Sequence, residues 1–194
     1  MDNTFTESEI TPEGYLKLKV DKIKGSGLAT SIKDECLSSE ELLPSDKNGL
    51  VIASGNSTEK WRGKGWKTLD IDRSNYPDFP IDIRHMDEQI KPDSFDYILL
   101  DGLPMNKNGG VELETVIQQT RNALKNGGKL FFQTSIDDEG YSRLPTENEI
   151  SQTLIKNGFG FEGSKSGPIQ ILDQNGTPVE TYRSAQFFAE KLVR

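Results

Sequence analysis

Apolar residues follow two different spacings along this chain, and the change between them locates its parts. In Tyr15-Leu16-Lys17-Leu18-Lys19-Val20 every second residue is apolar, the alternation of a half-buried strand. Gly25-Ser26-Gly27 interrupts it. Ser38-Ser39-Glu40-Glu41-Leu42-Leu43 predicts a short helix with a serine cap and early acids. A polar turn region from Pro44 to Gly49 then marks a boundary. Residues 1–48 are therefore read as an N-terminal extension, partly flexible, and residues 49–194 as the main domain.

After Gly49 short apolar runs alternate with helical patterns. Leu50-Val51-Ile52-Ala53, Trp66 to Ile71, Pro80-Ile81-Asp82-Ile83 and Phe95 to Leu100 predict four strands, each closed by turn or acidic residues. Runs of this length suit strands buried on both faces of a parallel sheet. From Glu112 to Asn126 the apolar positions Leu113, Val116, Ile117 and Leu124 recur at helical spacing, with acids in the first turn and bases near the end. Gly127-Gly128 is expected to stop that helix, and Lys129 to Thr134 to follow as a fifth strand. Thr146 and Glu149 have the spacing of a capping box, and Asn157-Gly158 ends the helix they open. Two last strands are expected. One lies near Phe159 to Glu162, or later at Ile169 to Leu172; the other is Ser184 to Leu192, with Asn175-Gly176 as a hairpin turn. Strands alternating with helices, then a hairpin, point to an α/β sheet with an antiparallel edge.

Charge and composition narrow the function. The net charge of −8 argues against a broad nucleic-acid surface, which needs clustered Lys and Arg. The densest basic stretch, Lys60 to Lys67, holds four cations and two tryptophans. It is suited to a phosphate or a flat ring, but the plainer and preferred reading is a solvated loop with both Trp residues tucked beneath it. One cysteine, Cys36, allows neither an intrachain disulfide nor a cysteine-based zinc site. No apolar run approaches the roughly 18 residues of a membrane helix, and the acidic, polar start is unlike a signal peptide. A soluble protein in a reducing compartment, by default the cytoplasm, is the expectation, with no metal.

The order of these pieces resembles the class I S-adenosylmethionine-dependent methyltransferases. Arg121-Asn122-Ala123-Leu124-Lys125-Asn126-Gly127-Gly128-Lys129-Leu130 is similar to that family's helix, leucine-lysine, proline-glycine-glycine turn and fifth strand, with asparagine in place of proline. Ser94-Phe95-Asp96-Tyr97-Ile98-Leu99 resembles its fourth strand, Asn157-Gly158-Phe159 the end of its late helix, and Phe187 to Lys191 its last strand. The resemblance implies a Rossmann-like three-layer sandwich with a mostly parallel seven-stranded sheet and an antiparallel C-terminal edge hairpin. It also implies S-adenosylmethionine as cofactor.

In an open α/β sheet, ligands bind beyond the carboxyl ends of the strands. The first such end is Ala53-Ser54-Gly55-Asn56, where a small backbone lets a ligand approach. The second is Asp70-Ile71; Asp70 is suited to both ribose hydroxyls, and Asp72 is its competitor. The resemblance places an adenine-binding acid and apolar neighbour at Asp82-Ile83, and the meeting of cofactor and methyl acceptor at Asp101-Gly102. The first loop is reduced, with one glycine where the family carries two or three. Only 15 positions separate Gly55 from Asp70, so the first crossover helix must be short and drawn from Ser57 to Arg62, or be a loop.

Asp101 and the lone His85 are the candidate catalytic groups, His85 as a base near neutral pH. Methyl transfer demands chiefly positioning, with a base only where the acceptor needs one. Asp101-Gly102-Leu103-Pro104-Met105-Asn106 also looks like the turn of RNA ribose methyltransferases, but Gln133 stands where their lysine is needed. Tyr141 is a candidate to line an acceptor pocket, but the plainer and preferred reading is an exposed loop aromatic. The expected function is methyl transfer to a small molecule or another acceptor that is not nucleic acid. The alternative is an inactive methyltransferase-like interaction module, and the N-terminal extension is a candidate arm for a protein partner.

Overall fold

The computed structural model of the chain describes residues 19–21, 31–33, 48–101, 103, 105, 111–137, 144–172 and 178–193. The helix expected at Ser38 to Leu43, the Asn175-Gly176 turn, Gly102 and Tyr141 lie outside the described residues. Two compact units divide the chain. One comprises Met1–Pro44 with Ser166–Ser184, the other Ser45–Lys165 with Ala185–Arg194. In the first, β1 (Lys19–Asp21) pairs antiparallel with β2 (Ser31–Lys33), Val20 opposite Ile32.

The main sheet has six strands in the order β4-β3-β5-β6-β8-β7. They are β3 (Gly49–Ile52), β4 (Lys67–Leu69), β5 (Phe95–Leu100), β6 (Leu124–Ile136), β7 (Phe159–Leu172) and β8 (Pro178–Lys191). β3 runs parallel to both β4 and β5, and β5 parallel to β6. β7 and β8 form the antiparallel edge hairpin, with β8 inserted between β6 and β7. Both positions proposed for the penultimate strand belong to the single long β7.

Alternation sorts the central strands onto two faces. Leu50, Ile52, Ile98, Leu100, Leu130 and Phe132 meet Val116 and Ile117 of α2 (Leu113–Ala123) and Ile150 and Leu154 of α3 (Glu147–Lys156) in one core. Each such burial stabilises by roughly 1.5–3 kcal/mol. Thr120 tolerates this apolar stripe because its hydroxyl lies 2.9 Å from the Val116 carbonyl and 3.0 Å from that of Ile117. On the other face an aromatic row, Trp61, Trp66, Tyr97, Phe131 and Phe188, crosses the sheet with successive ring centroids 5.2–6.4 Å apart.

Three expectations need correction. Pro80 to Ile83 is not a strand: a single parallel bridge joins Leu69 to Phe79, and Ile83–Glu88 coil into a 3-10 turn, so that the main sheet has six strands among the described residues. Asp82 prevents the extension by capping that turn, its carboxylate accepting the Arg84 amide at 2.9 Å. The helix from 112 ends at Ala123, not Asn126, because Leu124 is claimed by the core and bridges to Phe95. The amides of Asp93 and Ser94 take the Asn122 and Ala123 carbonyls, and the buried Lys191 ammonium donates to the Leu124 carbonyl (2.6 Å) and Asp93 (2.7 Å). Gly127, at φ +73°, then turns the chain into the main run of β6. Finally, Lys60 to Gly63 belong to a helix, α1 (Thr58–Gly63), rather than a loop; both tryptophans are buried as the plainer reading expected.

The first crossover is thus one short helix, and α3 opens on the capping box expected at Thr146. Its hydroxyl accepts the Glu149 amide (3.1 Å) while Glu149 accepts the Thr146 amide (2.8 Å). Gly49, buried at the start of β3, lies under the Trp66 ring so closely that a Cβ would overlap it. Gly49→Ala is expected to destabilise the protein by about 1–3 kcal/mol, read as a lowered urea midpoint. An unchanged midpoint would show that Trp66 moves aside freely.

Candidate functional site

The carboxyl ends of β3, β4 and β5 come together in the second unit, and the loop after β3 owes its shape to a few short-range bonds. Ala53 donates its amide to the Leu69 carbonyl (2.8 Å) and adopts φ +58°, a conformation that ordinarily needs glycine. That positive φ marks a position glycine would suit, which residue identity alone did not give. Ser54 is buried, its hydroxyl 2.8 Å from that of Thr58, and Thr58 donates to the Gly55 carbonyl (2.8 Å). Asn56 is exposed. Gly55 has φ +45°, and nothing lies within 4 Å of where its Cβ would stand.

Asp70 ties this loop to the next strand. Its Oδ2 accepts the Gly55 amide at 2.7 Å and its Oδ1 the Asp72 amide at 2.8 Å. The two candidate acids are separated by this geometry: Asp70 is 8% exposed and faces the loop, whereas Asp72 caps the turn Arg73–Asn75 through the Ser74 amide. Ile71, beside Asp70, is 68% exposed. Asp78, which the sequence did not single out, holds the β4 end in place. It accepts from the Thr68 amide and hydroxyl, both at 3.0 Å, and pairs with Lys67 and Arg62. Burial raises its pKa, but the Thr68 and Lys67 hydrogen bonds outweigh that and hold it below the usual value.

Asp82 and Ile83 stand apart in role. The Arg84 guanidinium grips the Asp82 carboxylate through both oxygens, and that hydrogen bond holds its pKa down against burial. Ile83 is in the core beside Met86 and Ile90. His85 is exposed and its Nδ1 lies 3.1 Å from Glu88 Oε1. Gln133, on β6, accepts from Gln186 of β8 at 3.2 Å.

Asp101 closes β5, its amide donating to the Ile52 carbonyl at 2.9 Å. Burial pushes its carboxyl above the ordinary carboxylate value, opposed by the Trp61 indole N–H, 3.4 Å from Oδ2, and by the charge of Lys60. The basic stretch is thereby accounted for. Arg62 and Lys67 pair with Asp78, while the Lys60 and Lys64 ammonium groups lie 5.5 and 5.3 Å from the Trp61 ring centroid. Among the described residues no group of three acids, histidines or cysteines is placed to hold a metal. Nor is any described helix long and apolar enough to cross a membrane.

A residue that favours αL poorly gains from glycine, so Ala53→Gly is expected to stabilise the fold by about 1 kcal/mol in denaturant unfolding, and equal or lower stability would contradict the assignment. For Asp101 the sign follows from linkage. Its folded-state pKa is raised, so the folded protein binds that proton first. The ionised form costs stability at neutral pH, and the cost fades as pH falls through the folded-state pKa. Asp101→Asn should therefore be more stable than the parent at pH 7, and the gain should vanish in acid. A destabilised variant at pH 7 would contradict this.

No known family's sequence model matches this chain, and no curated protein is similar to it in sequence. Similarity appears in three dimensions. An S-adenosylmethionine-dependent methyltransferase from Methanosarcina mazei superposes with a TM-score of 0.61 at 13% identity, over 80% of this chain and 97% of that one. One from Thermotoga maritima gives 0.54 at 16% identity, over 79% and 86%. The cyclase SpnF gives 0.55 at 13%, over 79% and 77%. Strand order, edge hairpin and these superpositions agree: the chain has the Rossmann-like fold of the class I S-adenosylmethionine-dependent methyltransferases.

Proposed function

We propose that the protein binds S-adenosylmethionine across the carboxyl ends of β3 and β4 and transfers its methyl group to a small-molecule acceptor at the end of β5. The observation that carries this reading is the Asp70 carboxylate, held against the Gly55 amide beside an open space. Each carboxylate oxygen has two lone-pair directions, and the two backbone amides use one on each. Among the described residues no donor takes the other two, as many as the vicinal hydroxyls of a ribose require. Open space at Gly55 admits a ligand against the backbone, and exposed Ile71 offers an apolar flank for an adenine ring. These residues fit the cofactor. Asp82 and Ile83 fit less well, one bound to Arg84 and the other in the core.

When bound, the cofactor supplies an electrophilic methyl group on a sulfonium. The chain's own residues bind and orient: Asp70 takes the ribose, Ala53 to Gly55 line its path, and Asp101 stands at the acceptor side. His85, exposed and paired with Glu88, is left outside this role. A small acceptor suits the net charge of −8 and the commitment of Arg62 and Lys67 to Asp78.

A second reading has one observation in its favour. Both Asp70 oxygens already have backbone partners, so the loop keeps its shape without a cofactor, as an inactive interaction module would. Isothermal titration separates the two. Saturable binding of S-adenosylmethionine or S-adenosylhomocysteine is expected, weakened roughly 10- to 100-fold in Asp70→Asn as a charge-assisted bond is lost. No heat from folded protein at high ligand concentration would overturn the first reading.

A further inference from the structure

Trp61 was expected to do no more than pack beneath a solvated loop, yet its indole reaches the end of β5. The ring is 2% exposed, wedged against Trp66, and its Nε1–H points to Asp101 Oδ2. The other oxygen differs. Among the described residues the Trp61 indole is the one hydrogen-bond donor to the carboxylate, none reaches Oδ1, and Asp101 is only half-buried. A half-buried carboxyl with one oxygen held by a fixed donor is arranged to accept a proton or hydrogen bond through the other.

We propose that Trp61 is a positioning residue that fixes the Asp101 carboxyl through Oδ2 and so presents Oδ1 to the methyl acceptor. This deepens the methyltransferase reading and rests on it for the identity of the acceptor. When the acceptor X–H needs deprotonation, its proton passes to Oδ1. The X–C bond forms as the S–C bond breaks, the electron pair returning to sulfur to give a neutral thioether. Trp61 touches neither substrate nor cofactor in this account. It acts through Asp101, and it does so from the short crossover helix α1. Of the described charged groups, Lys60, also on α1, is the one whose charge acts on Asp101.

Carbon-detected NMR titration of the side-chain carboxyls in the whole 194-residue chain tests this with no cofactor present. In Trp61→Phe, which keeps the packing and drops the donor, the Asp101 midpoint should rise by roughly half a pH unit, about threefold in its protonation equilibrium. A second readout needs no change at Trp61: its indole N–H resonance in the parent should titrate with the midpoint of Asp101, and Asp101→Asn should abolish that titration. Identical Asp101 midpoints in parent and Trp61→Phe, or an indole resonance that ignores Asp101, would overturn the proposal. Failure of cofactor binding would overturn the methyltransferase reading alone, since neither titration depends on it.

Discussion

The contact on which the site depends is the Asp70 carboxylate between the amides of Gly55 and Asp72. A crossover from β3 to β4 with one short helix has little chain with which to shape the loop after β3. A buried carboxylate satisfied by backbone donors substitutes for that length, since hydrogen bonds to a charged acceptor are about twice as strong as neutral ones. It pins the loop tip to the second strand and sets the left-handed turn at Ala53 and Gly55. Asp78 repeats the device one step along, fastening Phe79 and the end of β4 through Thr68.

Around that point the two sheet faces differ in kind. One is closed by α2 and α3 with aliphatic side chains, in the usual manner of an α/β sandwich. The other carries the aromatic row that starts at Trp61 and runs to Phe188. Aromatic rings cover more area per residue than aliphatic ones, so a short helix with one tryptophan can do much of a longer helix's burial. The same tryptophan has a polar edge, and that edge links the packing of α1 to the Asp101 carboxylate.

Much of this was legible in the sequence. Phe95 to Leu100, the Thr146 capping box and the crossover at Ser57 to Arg62 follow from local pattern, where periodicity and capping chemistry decide the outcome. What was not legible depends on contacts distant in sequence. The end of α2 is set by Leu124, Asp93 and Lys191, 67 positions separating Leu124 from Lys191. The third strand failed because Asp82 found Arg84 and the Arg84 amide, a local competition that apolar spacing does not register. At the site, the choice of Asp70 over Asp72 was already favoured by position. The backbone partners of Asp70, the role of Asp78 and the reach of Trp61 needed coordinates.

SpnF shares this fold and is a cyclase, so fold does not by itself fix the reaction. What decides the function is therefore whether S-adenosylmethionine or its demethylated product occupies the Asp70 loop. The most direct measurement is a two-dimensional amide NMR map of the protein titrated with S-adenosylhomocysteine. The account predicts shifts concentrated at Ala53 to Gly55, Asp70 to Asp72 and Asp101, saturating together. An unshifted map, or shifts confined to residues far from the ends of β3, β4 and β5, would contradict it.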